Sequence, residues 1–201
     1  MMGLISTEMK GSHNHIPRKI YHLVSASIIP TIYLLEIFDR DLIIVSVSIV
    51  TALWLGFDFA RIYVRPINEL FSRSFSFLMK EKEVDQLTGM SYVLIGSTIA
   101  LLLFPPMVAV ASLYFMSIGD PAASIIGKAI GRFKVSGGRT AEGSAAMFMV
   151  CLLVAFSLDL NFRAVFGAFA AVLTELFSGA IDDNLTVPVI SGVVMIILGV
   201  N

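Results

Sequence analysis

Charged residues are scarce in this sequence of 201 residues: they make up 14% of it, against 57% hydrophobic residues. A typical soluble domain carries roughly 25% charged and 45–50% apolar residues. With a mean hydropathy of +0.87, the chain has too little charge to cover the surface of a soluble globule. Disordered chains are polar and highly charged, so disorder is excluded as well. The remaining class is a polytopic membrane protein.

Cysteine is almost absent too. Cys151 is the single cysteine, which excludes a disulfide framework and a metal cluster built on thiolates. Because it lies inside an apolar run, we interpret it as a packing residue.

Seven apolar runs approach the about 17–25 residues that a helix needs to cross a bilayer. They cover residues 20–38, 42–64, 90–104, 107–126, 144–158, 164–178 and 185–200. We therefore predict an all-α, polytopic transmembrane helical bundle of about seven spans. It forms a single domain over residues 1–201, with residues 1–17 as a cytoplasmic tail.

The distribution of basic residues gives the orientation. With the N-terminus inside, every Lys and Arg except Arg40 and Arg163 falls on the inner side. Cytoplasmic segments of membrane proteins carry this excess of positive charge. We predict a cytoplasmic N-terminus and chemistry at the cytoplasmic face, with no nucleic-acid partner.

A second kind of helix is predicted between the second and third spans. Ile67, Leu70, Phe71, Phe75 and Leu78 recur at helical spacing on one face. The pattern fits an amphipathic helix in the headgroup plane and, equally well, a helix packed against the bundle.

Acidic residues interrupt the apolar pattern at the inner ends of several spans, where ionisable groups usually mark function. In one segment Asp120 precedes Pro121, which predicts a break in the fourth span and a new helix that Asp120 caps. Ser124, Gly127 and Gly131 then share a face with Asp120. That face could admit a ligand to the backbone or could be a small-residue stripe for helix packing.

The next segment, residues 134–144, is rich in glycine and carries Arg139, Thr140 and Glu142. Such a loop can wrap a polyphosphate with backbone N–H groups and an arginine fork. It does not contain the P-loop pattern. The alternative is a plain flexible loop.

Oxygen-bearing side chains collect near the C-terminus: Glu175, Asp182, Asp183 and Asn184. Hard oxygen ligands suit Mg²⁺, although Asp-Asp-Asn is also good turn chemistry. Near the N-terminus, Arg18, Lys19 and His22 are spaced to point one way along a helix. Phosphate-binding cations and a magnesium-suited cluster in a membrane protein indicate phosphoryl or nucleotidyl transfer to a lipid.

In this order the motifs resemble those of the CTP-dependent polyprenol kinases, which include dolichol kinase, phytol kinase and the CTP-dependent diacylglycerol kinase. The resemblance extends from Pro17 to about Gly192. It rests on these matching residues: Arg18, Lys19, His22, Asp58, Arg61, Leu87, Thr88, Gly89, Gly119, Asp120, Ala123, Gly127, Gly131, Arg139, Glu142, Gly143, Ser144, Glu175, Asp182, Asp183, Asn184, Leu185 and Pro188.

The resemblance implies transfer of the γ-phosphate of CTP to a lipid alcohol, most simply a dolichol-type isoprenoid alcohol. Catalytic roles would fall to Asp120, Glu142 and Glu175, and Mg²⁺ would be held by Asp120, Asp182 and Asp183. Asp58, Arg61 and Asn184 would support the site. Nucleotide and phosphate binding would involve Arg18, Lys19, His22, Gly119, Gly127, Lys128, Gly131, Arg139 and Thr140.

The sequence departs from the family at Arg139, where lysine is usual, and at Asp58, where glutamate is more common. Arginine holds phosphate in a fork whereas lysine is a point charge, so phosphate binding should survive the first change.

The alternatives are a cytidylyltransferase and a small transporter. A cytidylyltransferase that makes CDP-linked lipids shares the Gly-Asp and Glu-Gly motifs, but usually ends in Lys-Arg and Lys-Asp signatures where this chain has Asp182-Asp183-Asn184. A small transporter would place polar residues through the centres of its spans, whereas the centres of the second, third and fifth spans are apolar here apart from Ser and Thr.

Overall fold

In the computed structural model, residues 15–76, 78–179 and 181–200 are described, and they are mostly helical. The helices are α1 (His15–Leu34), α2 (Arg40–Tyr63), α3 (Arg65–Ser74), α4 (Gly89–Leu103), α5 (Pro106–Tyr114), α6 (Asp120–Ile130), α7 (Ala141–Ser157), α8 (Ala164–Phe177) and α9 (Asp183–Ile197). A 3₁₀ turn, Glu81–Val84, precedes α4, and a short hairpin, β1 (Lys134–Ser136) and β2 (Arg139–Thr140), precedes α7. Most of the predicted tail, residues 1–14, lies outside the described residues.

Local sequence signals explain where several helices begin. Side chains of Asp39, Thr88, Thr140 and Asp182 accept backbone N–H groups at the starts of α2, α4, α7 and α9. Such caps satisfy donors that a helix leaves free at its first turn. Proline lies at the first positions of α3 and α5, where its missing N–H means one fewer backbone donor without a partner.

The helix Pro106–Ile130 forms the centre of the bundle. Its first part packs against α1, α4, α7 and α9, and Val108, Ala109, Leu113, Phe115 and Met116 are fully buried. In contrast, α2 lies at the periphery and exposes apolar side chains along its length. Within the described residues, α2 and Pro106–Ile130 are long and apolar enough to cross a membrane, and four other apolar helices are shorter. The seven spans and their orientation stay predictions.

The predicted break before Asp120 is wrong, because one continuous helix runs through it. Residues Phe115–Gly119 form a π-helical segment between α5 and α6, and both Gly119 and Asp120 are helical. Pro121 cannot donate a backbone hydrogen bond, and a π segment is one way in which a helix shifts its hydrogen-bond register without ending. Asp120 is therefore held within a helix and makes no capping hydrogen bond.

The glycine-rich segment is also more ordered than a flexible loop. Its two strands pair antiparallel, and Gly137 and Gly138 form the turn with φ of 54° and 84°. Two consecutive residues with positive φ fit a tight two-residue hairpin, for which glycine is favoured. The all-α prediction thus holds for the bundle and fails for this hairpin.

The amphipathic segment forms α3, which ends at Ser74, so that Phe75 and Leu78 lie beyond it. Phe71 packs against Trp54 and Phe57 of α2, whereas Leu70 is exposed. One side of α3 therefore contacts the bundle, and its other side is open.

Candidate functional site

A close ion pair joins the first helix to the middle of the bundle. Lys19 Nζ lies 2.6 Å from Asp120 Oδ2, and Asp120 is 6% exposed. Because α1 packs beside the π segment and α6, these two residues face each other. The sequence prediction that Lys19 and Asp120 belong to one site agrees with this arrangement.

Arg139, on β2, connects the hairpin to the C-terminal helices. Its Nε donates to Glu175 Oε1 at 2.6 Å, and its Nη2 donates to Asp183 Oδ2 at 3.4 Å. Nη2 also donates to Ser178 Oγ at 3.1 Å. One guanidinium thereby brings together the acids at the end of α8 and the start of α9.

The two consecutive aspartates have different surroundings. Asp182 caps α9 by accepting the backbone N–H of Asn184 at 3.2 Å, and its other oxygen lies 3.2 Å from Lys80 Nζ. Asp183 lies just outside the span predicted at 185–200. Burial raises its pKa, but the positive charges of Lys80, Lys19 and Arg139 bring the pKa below its ordinary value.

Two cavities meet at this cluster. The first, which we call the polar cavity, measures about 330 Å³ and lies between α6, α7 and the hairpin. Its lining residues are Lys19, Asp120, Ala123, Ser124, Gly127, Lys128, Gly137, Gly138, Arg139, Thr140, Gly143, Ser144, Glu175 and Asp183. The second, the aromatic cavity, measures about 230 Å³ and includes the side chains of Trp54, Phe71, Phe75, Leu78, Met79, Met90 and Val93. Lys19, Asp120 and Asp183 line both cavities. We call these three residues the junction.

The predicted magnesium ligands are not gathered into one set. Asp120 pairs with Lys19, Asp182 with Lys80, and Asp183 with Arg139. Among the described residues, no three acidic, histidine or cysteine side chains are grouped as a metal site. Asp120 and Asp183 nevertheless line the same two cavities, and Mg²⁺ is commonly bound by one or two carboxylates together with phosphates. The junction thus fits the ion, and magnesium stays a prediction.

The glycines in α6 and at its two ends act mainly in packing. A methyl group added at Gly127 would lie 2.8 Å from Thr140 Oγ1, and one at Gly131 would lie 2.6 Å from the same atom. One at Gly119 would lie 3.1 Å from Cys151 Sγ. The small-residue stripe therefore lets α6 approach α7 closely, and Gly127 also forms part of the wall of the polar cavity.

Glu142 lies apart from both cavities. Its carboxylate accepts the backbone N–H groups of Arg132 and Phe133 at 2.9 and 3.3 Å. These hydrogen bonds lower the pKa of Glu142. The geometry gives it a role in holding the residues before the hairpin against α7, and its catalytic role stays a prediction.

Three other predicted residues differ in how far the structure describes them. His22 lines the aromatic cavity and Lys128 lines the polar cavity. Arg18 lies on α1, but its side chain is outside the described part of the structure.

The supporting residues Asp58 and Arg61 form an ion pair at 2.5 Å with both side chains completely buried. They line neither cavity. Asn184 lines the aromatic cavity, and its Nδ2 is 3.5 Å from the carbonyl oxygen of Gly89.

Sequence reasoning missed two kinds of site residue. Trp54 and Phe71 line the aromatic cavity, but aromatic residues in apolar segments give no local sign of a cavity. Lys80 is one of the inner cations, and its closeness in space to Asp182 is not visible in the linear sequence.

Comparison with known proteins identifies the family. The chain is 31% identical over 183 residues to an uncharacterized protein of Rickettsia prowazekii, a match covering 85% of this chain and 88% of that protein. It is 28% identical over 214 residues to CTP-dependent diacylglycerol kinase 1 of Eremothecium gossypii, covering 90% of this chain and 66% of the relative. It is 28% identical over 200 residues to human dolichol kinase, covering 86% of this chain and 36% of the relative.

The chain thus spans about two thirds of the diacylglycerol kinase and about a third of the dolichol kinase. No family model matches it, and no solved structure matches it significantly. The matched relatives with assigned activities are CTP-dependent diacylglycerol kinases and dolichol kinases. The chain belongs to the CTP-dependent polyprenol kinase family.

Proposed function

We propose that the protein transfers the γ-phosphate of CTP to a lipid alcohol of the polyprenol or dolichol type. It does so as a multi-pass membrane protein, with its active site at the cytoplasmic face. One observation carries the proposal: Lys19, Asp120 and Asp183 line both a polar and an aromatic cavity. A kinase for a lipid must bring a polyphosphate and an apolar molecule to one point, and the junction is such a point.

The polar cavity suits the nucleotide. Lys19, Lys128 and Arg139 line it and supply positive charge. Thr140, Gly143 and Ser144 line it at the N-terminus of α7, where backbone N–H groups and the helix dipole favour phosphate. Within the described residues, Ser144 Oγ is buried and makes no hydrogen bond, so it is available to a ligand.

The aromatic cavity suits the acceptor. Trp54 on α2 and Phe71 on α3 line it and pack edge-on against each other where α3 contacts the bundle. The first isoprene units of a lipid alcohol could lie against these rings while the hydroxyl group reaches the junction. The rest of the chain would remain in the membrane.

The reaction would be an in-line displacement. The acceptor oxygen forms a bond to the γ-phosphorus, the bond from that phosphorus to the β-phosphate oxygen breaks, and CDP leaves. The hydroxyl proton passes to Glu175, the carboxylate of the polar cavity that is not assigned to the metal ion. Lys19 and Arg139 offset the phosphate charge, since such transfers depend on positioning and charge neutralisation. Mg²⁺, held by Asp120 and Asp183, would add to that neutralisation.

The test uses purified protein, CTP labelled at the γ-phosphate, and separate lipid alcohols: dolichol, a shorter polyprenol, phytol and diacylglycerol. We expect labelled lipid phosphate with a polyprenol acceptor and stoichiometric CDP. Asp120→Asn should lower the rate about 100-fold or more, as for loss of one preorganised charge-stabilising group. Asp159→Asn, the same change at an exposed turn, should leave the rate unchanged.

Three outcomes would overturn parts of the proposal. Release of pyrophosphate instead of CDP would make the protein a cytidylyltransferase. Label transfer to diacylglycerol alone would refute the isoprenoid acceptor. An Asp120→Asn variant that folds and retains wild-type activity would remove the junction from the reaction.

A further inference from the structure

Lys80 occupies a position that the motifs do not assign. It lies between α3 and α4, lines the aromatic cavity together with all three junction residues, and is directed at Asp182. Its side chain is 32% exposed, so a ligand in the cavity can reach it. No other lysine or arginine lines the aromatic cavity among the described residues, apart from Lys19.

The segment that carries Lys80 is anchored by a single buried guanidinium. Arg61 donates to the backbone carbonyl oxygens of Glu83 at 2.9 Å, Gln86 at 2.7 Å and Val84 at 3.2 Å. Arg61 also donates to the side-chain oxygen Oδ1 of Asn68, at 3.0 Å. Four contacts beyond Asp58 therefore fix the 83–86 turn and the side of α3 against α2.

Asp58 completes the anchor. One oxygen holds Arg61, and the other accepts the Thr88 backbone N–H at 2.8 Å and the Ser91 hydroxyl at 2.5 Å. Glu83 then accepts the backbone N–H of Lys80 at 3.0 Å. A buried ion pair is costly unless its hydrogen bonds are satisfied, and the bonds of this pair join the 83–86 turn to the start of α4 on either side of Gln86.

Lys82 can take the place of Lys80 as the partner of Asp182. Lys82 Nζ lies 3.9 Å from the same Asp182 oxygen, and Lys82 is 54% exposed. If Lys80 turns toward a phosphate in the cavity, Lys82 can approach Asp182 and balance the negative charge of its buried carboxylate. Both lysines can balance the charge of Asp182, but only Lys80 of the two lines the aromatic cavity.

We propose that Lys80 is the acceptor-side phosphate-binding residue, and that Asp58 and Arg61 are positioning residues that present it. Lys80 contacts the phosphoryl group as it passes to the lipid hydroxyl and then the phosphate of the lipid product. This inference rests on the proposed function.

The experiment compares purified Lys80→Met, Lys80→Arg and Lys82→Met with the wild-type protein, using labelled CTP and the best lipid alcohol. We expect Lys80→Met to lower kcat at least about tenfold, since a charge-assisted contact made in the transition state is lost. The KM for CTP should stay within about twofold, because the nucleotide binds mainly through the other cavity. Lys80→Arg should recover most of the rate, and Lys82→Met should match wild type.

Two results would overturn the inference. The first is a Lys80→Met variant no slower than Lys82→Met. The second is a slow Lys80→Met variant with a lowered unfolding temperature that Lys80→Arg does not restore, since Lys80 would then act only as the partner of Asp182. An inactive wild-type protein would instead refute the proposed function, so the two failures are distinguishable.

Discussion

Lys19 and Asp120 are 101 residues apart in sequence and 2.6 Å apart in space. Their side chains are 25% and 9% exposed, and both face the point where the two cavities meet. At that point Lys19 offers a positive charge that can bind a phosphate, and Asp120 offers a negative charge that can bind a cation. A substrate can therefore separate the pair and bind each member through its charge.

Replacing Lys19 tests this arrangement. We expect Lys19→Met to lower kcat/KM for CTP about 10- to 100-fold, because a hydrogen bond to a charged group typically contributes about 1.5–3 kcal/mol. Lys19→Arg should lose less, since the positive charge remains. Lys134→Met, which removes an exposed lysine on β1 outside both cavities, is the matched control. Equal activity of Lys19→Met and Lys134→Met would contradict the assignment.

Arg139 permits a test of the departure from the family pattern. Its guanidinium contacts Glu175, Asp183 and Ser178 together, and a lysine ammonium cannot reach three such partners in the same fork. We expect Arg139→Lys to raise the KM for CTP about three- to tenfold, in line with the loss of about one hydrogen bond. Kinetic titration with CTP measures this, and Arg132→Lys, at an exposed position, is the control. An unchanged KM would show that the fork is dispensable.

Much of the site could be read from the sequence because its charges are so few. The sequence predicts one site that contains Lys19, Asp120, Arg139, Glu175 and Asp183, and in the structure all five line the polar cavity. The expectations that failed depend on three-dimensional contacts. A proline within a helix can be accommodated by a π segment, and no local pattern distinguishes this from a break.

The same limit explains two other differences. In the sequence, Gly127 and Gly131 fit a face that admits a ligand as well as a face that packs against another helix. In the structure Thr140 lies close to both glycines, which favours packing. Glu142 lies beside the glycine-rich segment in sequence, but its carboxylate turns to the backbone of Arg132 and Phe133. Adjacency in sequence did not indicate the direction of its side chain.

The aromatic cavity gives a prediction about the acceptor. Trp54 lines the cavity and packs edge-on against Phe71. Trp54→Ala should raise the KM for the lipid alcohol by at least about tenfold, since burying an aromatic side chain against a ligand is worth on the order of 1.5–3 kcal/mol. The KM for CTP should stay near wild type. Phe59→Ala, on the same helix and half exposed outside the cavity, should change neither constant.

A rise in both KM values of Trp54→Ala by the same factor would indicate a general loss of structure. An unchanged KM for the lipid alcohol would instead mean that the lipid binds elsewhere, and the exposed surface of α2 would be the next region to vary.

The contact between α6 and α7 can be tested through stability. A methyl group at Gly127 would lie 2.8 Å from Thr140 Oγ1 and 3.5 Å from the Cα of Gly143, and overpacking of this kind costs about 1–3 kcal/mol. We expect Gly127→Ala to lower the unfolding temperature in detergent. A methyl group at Gly56, on α2, would meet nothing within 4 Å, so Gly56→Ala should leave stability unchanged or raise it by up to about 1 kcal/mol. If Gly127→Ala unfolds at the wild-type temperature but no longer binds CTP, the glycine face would serve the nucleotide and not the packing of the two helices.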